Sequence, residues 1–373
     1  MKILFACGGT AGHVNPALAL AAFLRQCHPD CEILFIGADG GMEEKLVKQA
    51  GYPIETVTIT NFRRSFSPKA IGHNFGTLRN LNLAKKQSEA ILDSFQPNLV
   101  MGTGGYASYS IVNTAARRGI PTVIHESNAI PGLTTKQLAK VVDKVLVGFE
   151  ASRSFYDKPE KVIATGTPVR GEFFLHSQAE ARKRIGTQEG QPVLLSYFGS
   201  LGAEVMNDRM VEFFLTEKRA GALWRHAHGT GRNYASMCAA LSEQQLDLDD
   251  YPAFSLHEYI YDMSLYMVAA DVVICRAGAS TISELTALGK PAILIPSPNV
   301  TANHQEKNAR ILADAGAAVL LTEDRADSKN LYEAAAKLLA DESRRKEMSA
   351  KLIALQNGDP AERIYQTLMA IMK

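Results

Sequence analysis

The sequence lacks the cysteine pattern that a disulfide framework or a zinc site requires. Its five cysteines are scattered along 373 residues, are odd in number and include no Cys-x-x-Cys pair. Such scattered cysteines are typical of proteins from a reducing compartment. We therefore expect a cytosolic environment, no disulfide and no metal site.

The sequence also lacks a charge excess and any long apolar run. Lys and Arg number 40 against 39 Asp and Glu, giving a formal net charge of +1, so no nucleic-acid partner is indicated. The most apolar later stretch, 265–275, is interrupted by Asp271 and falls short of the roughly 18 apolar residues of a membrane span. The first apolar run is too short for a signal-peptide core. Neither a membrane span nor export is expected.

What the sequence does have is a regular alternation of short β-branched runs with longer amphipathic stretches. The predicted strands are 3–7, 33–37, 99–102, 193–197, 272–275 and 292–296. The predicted helices of the first half are 16–26, 43–50 and 109–118. This alternation predicts an α/β protein with two Rossmann-like domains, each a doubly wound parallel sheet.

A second series of strands and helices begins after the turn-rich segment 165–168, and the domain boundary is expected near residues 160–166. We predict a first domain over 1–163 and a second over 164–358. The remaining segment begins with Asp359-Pro360, the pattern of an N-cap followed by proline at the first helical position. A terminal helix is therefore predicted over 359–373.

Glycine-rich turns follow three predicted strands, at 8–12, 199–202 and 277–280. Such a turn lets backbone N–H groups approach an anion, and the dipole of the following helix adds about 0.3–2 kcal/mol. None has the Gly-Lys-Ser/Thr of a P-loop, and the first lacks dinucleotide-fingerprint spacing, although Asp39 could imitate the ribose-binding acid of a dehydrogenase. The turns favour a nucleotide-linked substrate, with a dehydrogenase as a minor alternative.

His13 lies at the carboxyl end of the first strand, where open α/β sheets bind ligands. The following Asn15-Pro16 predicts an N-cap and a proline at the first position of the helix. Because imidazole titrates near neutral pH, His13 is a candidate to accept the proton of an attacking hydroxyl. The alternative is a histidine that only hydrogen-bonds the turn.

Two carboxylates are further candidates. Glu284 lies on the helix that the third turn opens and could accept hydrogen bonds from both hydroxyls of a ribose. The alternative is a helix-surface glutamate that complements the helix dipole. Glu126 lies between His125 and Asn128 at another strand end, where these polar groups either orient a substrate or satisfy the loop.

Six segments together resemble one known family. They are GGTAGHVNPALALA at 8–21, GTGGYASYS at 102–110, HESNAIPG at 125–132, GTPVR at 166–170, CRAGASTISELTALGKPAILIPSP at 275–298 and NHQEKNA at 303–309. In these segments, and in their order, the sequence is similar to the MurG family of bacterial UDP-GlcNAc:lipid I N-acetylglucosaminyltransferases.

The resemblance implies the GT-B fold, in which two Rossmann-like domains face each other across a cleft and the final helix returns to the first domain. It implies that the first domain takes the lipid-linked acceptor and the second takes UDP-GlcNAc. It also implies an inverting displacement in which the C4 hydroxyl of the MurNAc of lipid I attacks the anomeric carbon of GlcNAc. No cofactor is implied, and whether a divalent ion assists the departure of UDP stays open.

The resemblance also implies roles for individual residues. His13 would be the catalytic base. The acceptor would be bound by Thr10, Tyr106, Glu126 and Asn128. Glu284 would hold the ribose of the donor, Gln305 its GlcNAc, and the backbone at Ile260 its uracil. The other residues implied for UDP-GlcNAc are Thr10, Ala11, Gly12, Asn128, Arg170, Ser200, Ala279, Ser280 and Thr281, the last three through backbone N–H groups facing the diphosphate.

Three residues depart from the usual pattern of the family. Leu201 stands where glutamine is common and cannot supply the hydrogen bonds of an amide. Thr167 stands where asparagine is common, and Ser127 where glutamine is common. We expect altered donor contacts at Leu201 and rearranged local hydrogen bonds at the other two positions.

A segment without acidic residues, 56–88, combines basic and apolar side chains. They are Arg63, Arg64, Lys69, Arg79, Lys85 and Lys86, interspersed with Phe62, Phe66, Ile71, Phe75 and Leu78. Each basic group near an anionic lipid surface contributes about 1 kcal/mol. We expect this segment to dock peripherally on the anionic inner leaflet, the cytoplasmic face of the bacterial plasma membrane. The alternative is a solvated loop and helix.

Three other functions stay open from the sequence. A different UDP-sugar transferase of the GT-B fold, with another lipid acceptor, would differ only in its acceptor-side motifs. A UDP-GlcNAc epimerase would share the architecture but consume UDP-GlcNAc without any lipid. A nucleotide-sugar-binding scaffold without activity is disfavoured because His13, Glu284 and Gln305 occur together.

Overall fold

The structure, a computed structural model, describes residues 1–59, 68–248, 251–356 and 358–372, with the backbone alone at 68–79, 81 and 301. It divides the chain into two compact units. The first unit comprises Met1–Arg170 together with Gly358–Lys373, and the second comprises Gly171–Asn357. The division after Arg170 gives the turn-rich segment 165–168 to the first unit.

The first unit contains a seven-stranded parallel sheet. Its strands are β1 (Lys2–Ala6), β2 (Glu32–Ala38), β3 (Ile54–Val57), β4 (Leu99–Gly102), β5 (Thr122–Glu126), β6 (Lys144–Val147) and β7 (Val162–Ala164). Its helices before the boundary are α1 (Ala11–Cys27), α2 (Met42–Gln49), α3 (Pro68–Phe95), α4 (Tyr106–Arg117) and α5 (Leu133–Leu138). The strand order is β3-β2-β1-β4-β5-β6-β7.

The second unit contains a six-stranded parallel sheet. Its strands are β8 (Val193–Tyr197), β9 (Arg225–Gly229), β10 (Phe254–His257), β11 (Val272–Cys275), β12 (Ala292–Leu294) and β13 (Val319–Leu320). Its helices are α6 (Gln178–Arg184), α7 (Glu204–Ala220), α8 (Tyr234–Glu243), α9 (Met263–Ala269), α10 (Ala279–Leu288), α11 (His304–Asp314), α12 (Ser328–Ala340) and α13 (Glu342–Gln356). The strand order is β10-β9-β8-β11-β12-β13.

The prediction of two doubly wound parallel sheets is confirmed. In each sheet the strand order reverses once, between β1 and β4 in the first unit and between β8 and β11 in the second. At such a reversal the loops leave the carboxyl ends of the two strands in opposite directions and open a crevice for ligands. Each unit therefore has one such crevice.

Both faces of the first sheet are buried, which explains why its strands are apolar at successive positions. Along β1, Ile3 and Phe5 belong to one core cluster, whereas Leu4 and Ala6 belong to the cluster on the opposite face.

In the described part of the chain, no helix combines the length and the apolar composition that a membrane span requires.

The prediction for the start of α1 is wrong. The helix begins at Ala11 with Thr10 as its N-cap, so Pro16 lies inside the helix and Asn15 does not cap it. Gly9, with φ of +83°, reverses the chain directly after β1 and lets the helix start early. Pro16 then removes only the hydrogen bond to the Gly12 carbonyl. As a result, His13 lies in the first turn of α1.

The terminal helix α14 (Pro360–Ile371) packs against α1. The Asp359 side chain accepts a hydrogen bond from the Ala361 N–H, which confirms the predicted N-cap. Ile364 and Leu368 are fully buried in the same core cluster as several α1 residues. The Tyr365 hydroxyl lies 2.9 Å from His28 Nε2 at the end of α1.

Because Ile364 is fully buried at this contact, Ile364→Ala should lower the free energy of unfolding by about 2–5 kcal/mol. Urea denaturation measures this change. Gln366→Ala, at an exposed position of the same helix, is the control and should change the free energy by less than about 0.5 kcal/mol. Equal effects of the two variants would contradict a stabilising role for the α14–α1 contact.

Candidate functional site

His13 is oriented by two hydrogen bonds. Its Nδ1 lies 2.7 Å from the Gly8 carbonyl oxygen, and the His13 backbone carbonyl accepts a hydrogen bond from the Thr103 hydroxyl at 2.7 Å. Since a carbonyl can only accept, Nδ1 carries the proton of the neutral ring and Nε2 carries the lone pair. The side chain is partly exposed. His13 is therefore held in the tautomer that a general base acting through Nε2 requires.

Two glycines bring the turn after β4 against this histidine. Gly104 and Gly105 have φ of +115° and +84°, values that L side chains rarely adopt. A Cβ at Gly105 would lie 2.2 Å from the Gly8 carbonyl oxygen, and one at Gly104 would lie 2.5 Å from the His13 ring. Tyr106, which begins α4 and is 46% exposed, follows directly. The turn after β1 and the start of α4 thus lie together at the crevice of the first unit.

The first turns of α1 and α4 favour an anion. Neither contains an acidic residue, and within the described chain neither N-cap side chain accepts a hydrogen bond from the N–H groups of its helix. The N–H groups of Ala11 and Gly12 belong to the first turn of α1, where a helix has no acceptor of its own for them. Such N–H groups, together with the helix dipole, attract phosphate or carboxylate groups.

Sequence reasoning missed Glu43, a fully buried carboxylate beneath the first glycine-rich turn. Its oxygens accept hydrogen bonds from the N–H groups of Ala38 at 2.8 Å and Gly9 at 3.2 Å. A Cβ at Gly8 or Gly41 would approach its carboxylate within 2.6 Å. Glycines grouped around one glutamate were the available signal. The Gly9 N–H group is therefore already bound to a carboxylate of the protein itself.

The carboxylate of Asp39 also accepts hydrogen bonds from other residues of the protein. Hydrogen bonds from Thr56 and Thr58 hold its pKa below the ordinary value, and the Thr58 hydroxyl lies 2.6 Å from its Oδ2. In a dehydrogenase the corresponding acid holds the ribose, and the glycine-rich turn holds the diphosphate. With both Asp39 and the turn at Gly9 engaged internally, the first unit does not favour a dinucleotide.

Both oxygens of Glu126 are engaged within the protein. Oε1 accepts from the backbone N–H and the side-chain amide of Asn128, each at 3.0 Å. Oε2 accepts from the Gly132 N–H at 2.9 Å and the Thr135 hydroxyl at 2.8 Å. The side chain is 5% exposed. This geometry favours Glu126 as the residue that orients Asn128 and the start of α5, rather than as a direct ligand.

Ser127 and Thr167, two of the three positions that depart from the family pattern, are also buried. Burial lowers the pKa of His125, whose Nε2 donates to the Gly166 carbonyl at 2.9 Å. The Ser127 hydroxyl can then donate to His125 Nδ1, 3.3 Å away. The Thr167 hydroxyl is buried and has no hydrogen-bond partner among the described residues. Arg170 is the last residue of the first unit before the boundary.

In the second unit, α10 begins directly after β11 with Gly278 as its N-cap. Within the described chain, the cap makes no side-chain hydrogen bond, and the first turn contains no acidic residue. Ile282 N–H bonds back to the Gly278 carbonyl at 2.9 Å. The preceding N–H groups, those of Ala279, Ser280 and Thr281, therefore have no acceptor in the helix and form an anion-binding start.

Glu284 is partly buried on α10. Burial is the main cause of the raised pKa of both Tyr197 and Cys275, and the charge of Glu284 contributes to both shifts. Tyr197 and Cys275 are the last residues of β8 and β11. The partial burial and these two interactions favour a carboxylate at the crevice over a solvated surface glutamate.

The turn 199–202 follows β8 on the other side of this reversal. Gly199 and Gly202 have φ of +92° and +76°, and between them Ser200 is exposed and Leu201 is 58% exposed. An aliphatic side chain at 201 offers no hydrogen bond, so any polar contact here comes from Ser200 or the backbone.

Two further predicted donor residues follow β10 and β12. Ile260 is 5% exposed, and a Cβ at Gly229 would lie 3.3 Å from its Cδ1. Its side chain is therefore packed inside the unit, and its backbone is the part of the residue that is available for a ligand contact. Gln305 Oε1 accepts from the Ser297 N–H at 2.9 Å, which fixes the orientation of its amide.

The predicted residues therefore fall into two groups, each at the carboxyl edge of one sheet. The first group lies at or after the carboxyl ends of β1, β4 and β5 of the first unit: Thr10, Ala11, Gly12, His13, Tyr106, Glu126 and Asn128. Ser200, Ile260, Ala279, Ser280, Thr281, Glu284 and Gln305 follow β8, β10, β11 and β12 of the second unit. No group of three or more His, Cys, Asp or Glu side chains that could hold a metal ion occurs in the part of the chain that the structure describes.

Comparison with known proteins also divides the chain into two domains. The N-terminal domain of glycosyltransferase family 28 matches residues 3–147, and the C-terminal domain of that family matches residues 194–364. The crystal structure of Acinetobacter baumannii MurG superimposes with a TM-score of 0.73 at 26% identity, covering 99% of each chain. The fold class is thus confirmed as GT-B.

Two curated relatives extend over the whole chain. The protein of Acetivibrio thermocellus is 39% identical over 376 residues, covering 100% of this chain and 99% of that protein. The protein of Listeria monocytogenes is 40% identical over 382 residues, covering 100% of both. Both are named UDP-N-acetylglucosamine--N-acetylmuramyl-(pentapeptide) pyrophosphoryl-undecaprenol N-acetylglucosamine transferase. This chain belongs to glycosyltransferase family 28 and, within it, to the MurG family of glycosyltransferases.

Proposed function

We propose that this chain transfers GlcNAc from UDP-GlcNAc to the C4 hydroxyl of MurNAc in lipid I and thereby forms lipid II. The observation that carries the proposal is the full-length identity of 39–40% with relatives whose names state this transfer. Two features support it, because the reaction needs a site for a diphosphate and a base for a hydroxyl. The start of α10 in the second unit favours an anion, and His13 in the first unit has the tautomer of a general base.

The second unit takes UDP-GlcNAc. Its diphosphate lies at the start of α10, where the N–H groups of Ala279, Ser280 and Thr281 stabilise the charge that develops as UDP leaves. Glu284 accepts hydrogen bonds from the ribose hydroxyls, and the backbone at Ile260 reads the uracil. Ser200 contacts the donor from the turn after β8, and Gln305 binds its GlcNAc. Arg170, Thr10, Ala11, Gly12 and Asn128 are proposed as further donor contacts.

The first unit takes the acceptor and supplies the base. The C4 oxygen of MurNAc forms the new bond to the anomeric carbon of GlcNAc as the bond from that carbon to the UDP oxygen breaks. His13 Nε2 accepts the hydroxyl proton, while Nδ1–H stays bonded to the Gly8 carbonyl. Thr10, Tyr106 and Asn128 position the acceptor, and Glu126 acts by orienting Asn128. Attack on the face opposite the leaving group inverts the anomeric centre.

The membrane contact is proposed from the sequence. Residues 60–67 and the side chains of 68–79 and 81 lie outside the described part of the chain, and most of the basic and apolar residues of the 56–88 segment fall there. We propose that this segment binds anionic lipid at the inner leaflet, because an acceptor with a polyprenyl chain has to be met at the bilayer surface.

Removal of the proposed base tests the role of the first unit. His13→Ala should lower kcat for transfer by about 10²–10⁴-fold and leave the affinity for UDP unchanged. UDP release from UDP-GlcNAc, measured with and without a lipid I analogue, follows the reaction. His28→Gln, which changes another histidine of the same unit, is the control. Release by the wild type without acceptor would overturn the proposal in favour of an epimerase or hydrolase.

Removal of the proposed ribose ligand tests the donor site. Glu284→Gln should weaken binding of UDP at least tenfold, because each charge-assisted hydrogen bond contributes about 1.5–3 kcal/mol. Titration calorimetry with UDP measures the affinity. Glu333→Gln removes a carboxylate that is 62% exposed on α12 of the same unit and is the matched control. Unchanged affinity in Glu284→Gln would refute the ribose role.

Neutralising the basic segment tests membrane contact. Replacing Arg63, Arg64 and Lys69 together by glutamine should weaken binding to phosphatidylglycerol vesicles about 100-fold, at about 1 kcal/mol for each charge. Vesicle co-sedimentation measures the binding. Replacing Lys329, Lys346 and Lys351, three lysines of the second unit, removes the same charge and should have little effect. Equal losses in the two triple variants would show that net charge alone determines binding.

A further inference from the structure

A chain of polar side chains crosses the core of the second unit. It runs between α7, β8 and β9 and is almost completely buried: Ser196, Glu217, His226, His228 and Thr230 are 0% exposed and Asn207 is 2% exposed. We call these six residues the buried relay. Burial of so many polar groups is unfavourable unless every donor and acceptor is matched. The matching fixes the direction of each hydrogen bond.

The assignment starts at the Thr230 carbonyl, which can only accept. The side-chain amide atom of Asn207 that lies 2.8 Å from it is therefore Nδ2, and the other amide atom is the acceptor Oδ1. Oδ1 faces His228 Nε2 at 3.2 Å. His228 Nε2 must consequently carry a proton and donate it to Asn207.

The direction continues through His228 and Ser196. Burial lowers the pKa of His228 to about 3, so the ring is neutral and its Nδ1 has a lone pair. The Ser196 hydroxyl, 2.6 Å away, donates to that nitrogen. Its proton is then used, so Ser196 Oγ accepts from His226 Nε2 at 2.7 Å.

The last step joins His226 to Glu217. His226 Nδ1 lies 2.9 and 3.0 Å from the two oxygens of Glu217, and the Trp224 indole N–H donates to the same carboxyl group. Since His226 Nε2 already carries the proton that it donates to Ser196, one further proton bridges Nδ1 and Glu217. His226 and Glu217 therefore form a buried hydrogen-bonded pair at the end of the relay.

Ser196, His226 and Glu217 are successive hydrogen-bond partners, as Ser, His and an acid are in hydrolytic triads. The hydrogen bond between the serine and the histidine, however, runs in the opposite direction. In a triad the histidine accepts the serine proton, whereas here His226 donates to Ser196 and the hydroxyl proton points to His228. Ser196 is also 0% exposed, so no substrate reaches it. The relay is therefore not a nucleophilic site.

The relay ends where the proposed donor loops meet. The turn 199–202 rests on Thr230, since a Cβ at Gly202 would lie 2.0 Å from the Thr230 carbonyl oxygen. On its other side, the Thr230 N–H donates to the His257 carbonyl at the end of β10 at 2.9 Å. Ser200 and Ile260, both proposed to contact UDP-GlcNAc, thus flank the residue that Asn207 holds.

We propose that the buried relay positions the UDP-binding loops: its hydrogen bonds run in one direction from His226 through Ser196 and His228 to Asn207, which holds Thr230 beneath the turn that carries Ser200. Its residues are positioning residues and do not touch the donor. The functional part of this inference rests on the proposed UDP-GlcNAc site, whereas the proton assignment does not.

The proton assignment is tested on the wild-type protein by ¹⁵N NMR of the labelled histidine rings. Nε2 should be protonated in both rings, and His228 Nδ1 should carry no proton. His226→Gln and His228→Gln spectra assign the signals. A His226 ring without a proton on Nε2, or a His228 ring protonated at Nδ1, would overturn the directions deduced above.

The positioning role is tested with Ser196→Ala, which interrupts the relay without adding bulk. We expect the affinity for UDP to fall about tenfold and the KM for UDP-GlcNAc to rise equally, with kcat at saturating donor changed less than about twofold, the pattern of lost ground-state binding. Asn233→Ala is a milder second variant, because Asn233 Oδ1 accepts from Asn207 Nδ2 at 3.1 Å. It should weaken UDP binding about threefold.

Thr216→Ala is the control on α7, since its exposed hydroxyl bonds only the Glu212 carbonyl of its own helix. Thermal unfolding is recorded for each variant. Lower stability with unchanged UDP affinity in both Ser196→Ala and Asn233→Ala would overturn the positioning role and leave a structural one. If the wild type bound no UDP, the proposed donor site itself would fail, while the NMR result would still decide the proton assignment.

Discussion

Parallel pairing of the strands is the constraint on which both units depend. A parallel pair cannot be joined by a hairpin, so each strand is followed by a crossover helix, and the helices cover both faces of the sheet. All carboxyl ends then meet at one edge. Residues far apart in sequence, such as His13 and Tyr106 in the first unit or Ser200 and Glu284 in the second, become neighbours of one crevice for this reason.

The two crevices are built alike but differ in charge. Beneath the glycine-rich turn of the first unit lies Glu43, which uses the Gly9 N–H and puts a carboxylate where a dinucleotide fold places a diphosphate. At the start of α10 the first turn has no acidic residue, as in α1, and its N–H groups lack an acceptor in the helix. The same strand-turn-helix geometry therefore holds His13, the proposed base, in one unit and favours a diphosphate in the other.

Buried polar groups in both units act mainly by fixing direction. The Gly8 carbonyl selects one tautomer of His13, Glu126 fixes the orientation of Asn128, and the Thr230 carbonyl fixes that of Asn207. A carbonyl or carboxylate only accepts, so each such contact leaves its partner with one tautomer or one amide orientation. Chains of these contacts hold side chains in single arrangements with little exposed surface.

The sequence by itself determined the fold class, several strands to the residue, such as Leu99–Gly102 and Val272–Cys275, the cap at Asp359 and the family. These depend on local periodicity, on turn chemistry and on motifs that are contiguous in the chain. It misplaced the start of α1, because the Asn15-Pro16 signal is local and the turn at Gly9 overrides it. Only the tertiary structure decided the place of Glu43, the hydrogen bonding of both Glu126 oxygens within the protein and the directions of the hydrogen bonds in the buried relay. Each of these depends on donors and acceptors from different strands and helices, and no local pattern records which atoms the fold brings within hydrogen-bonding distance.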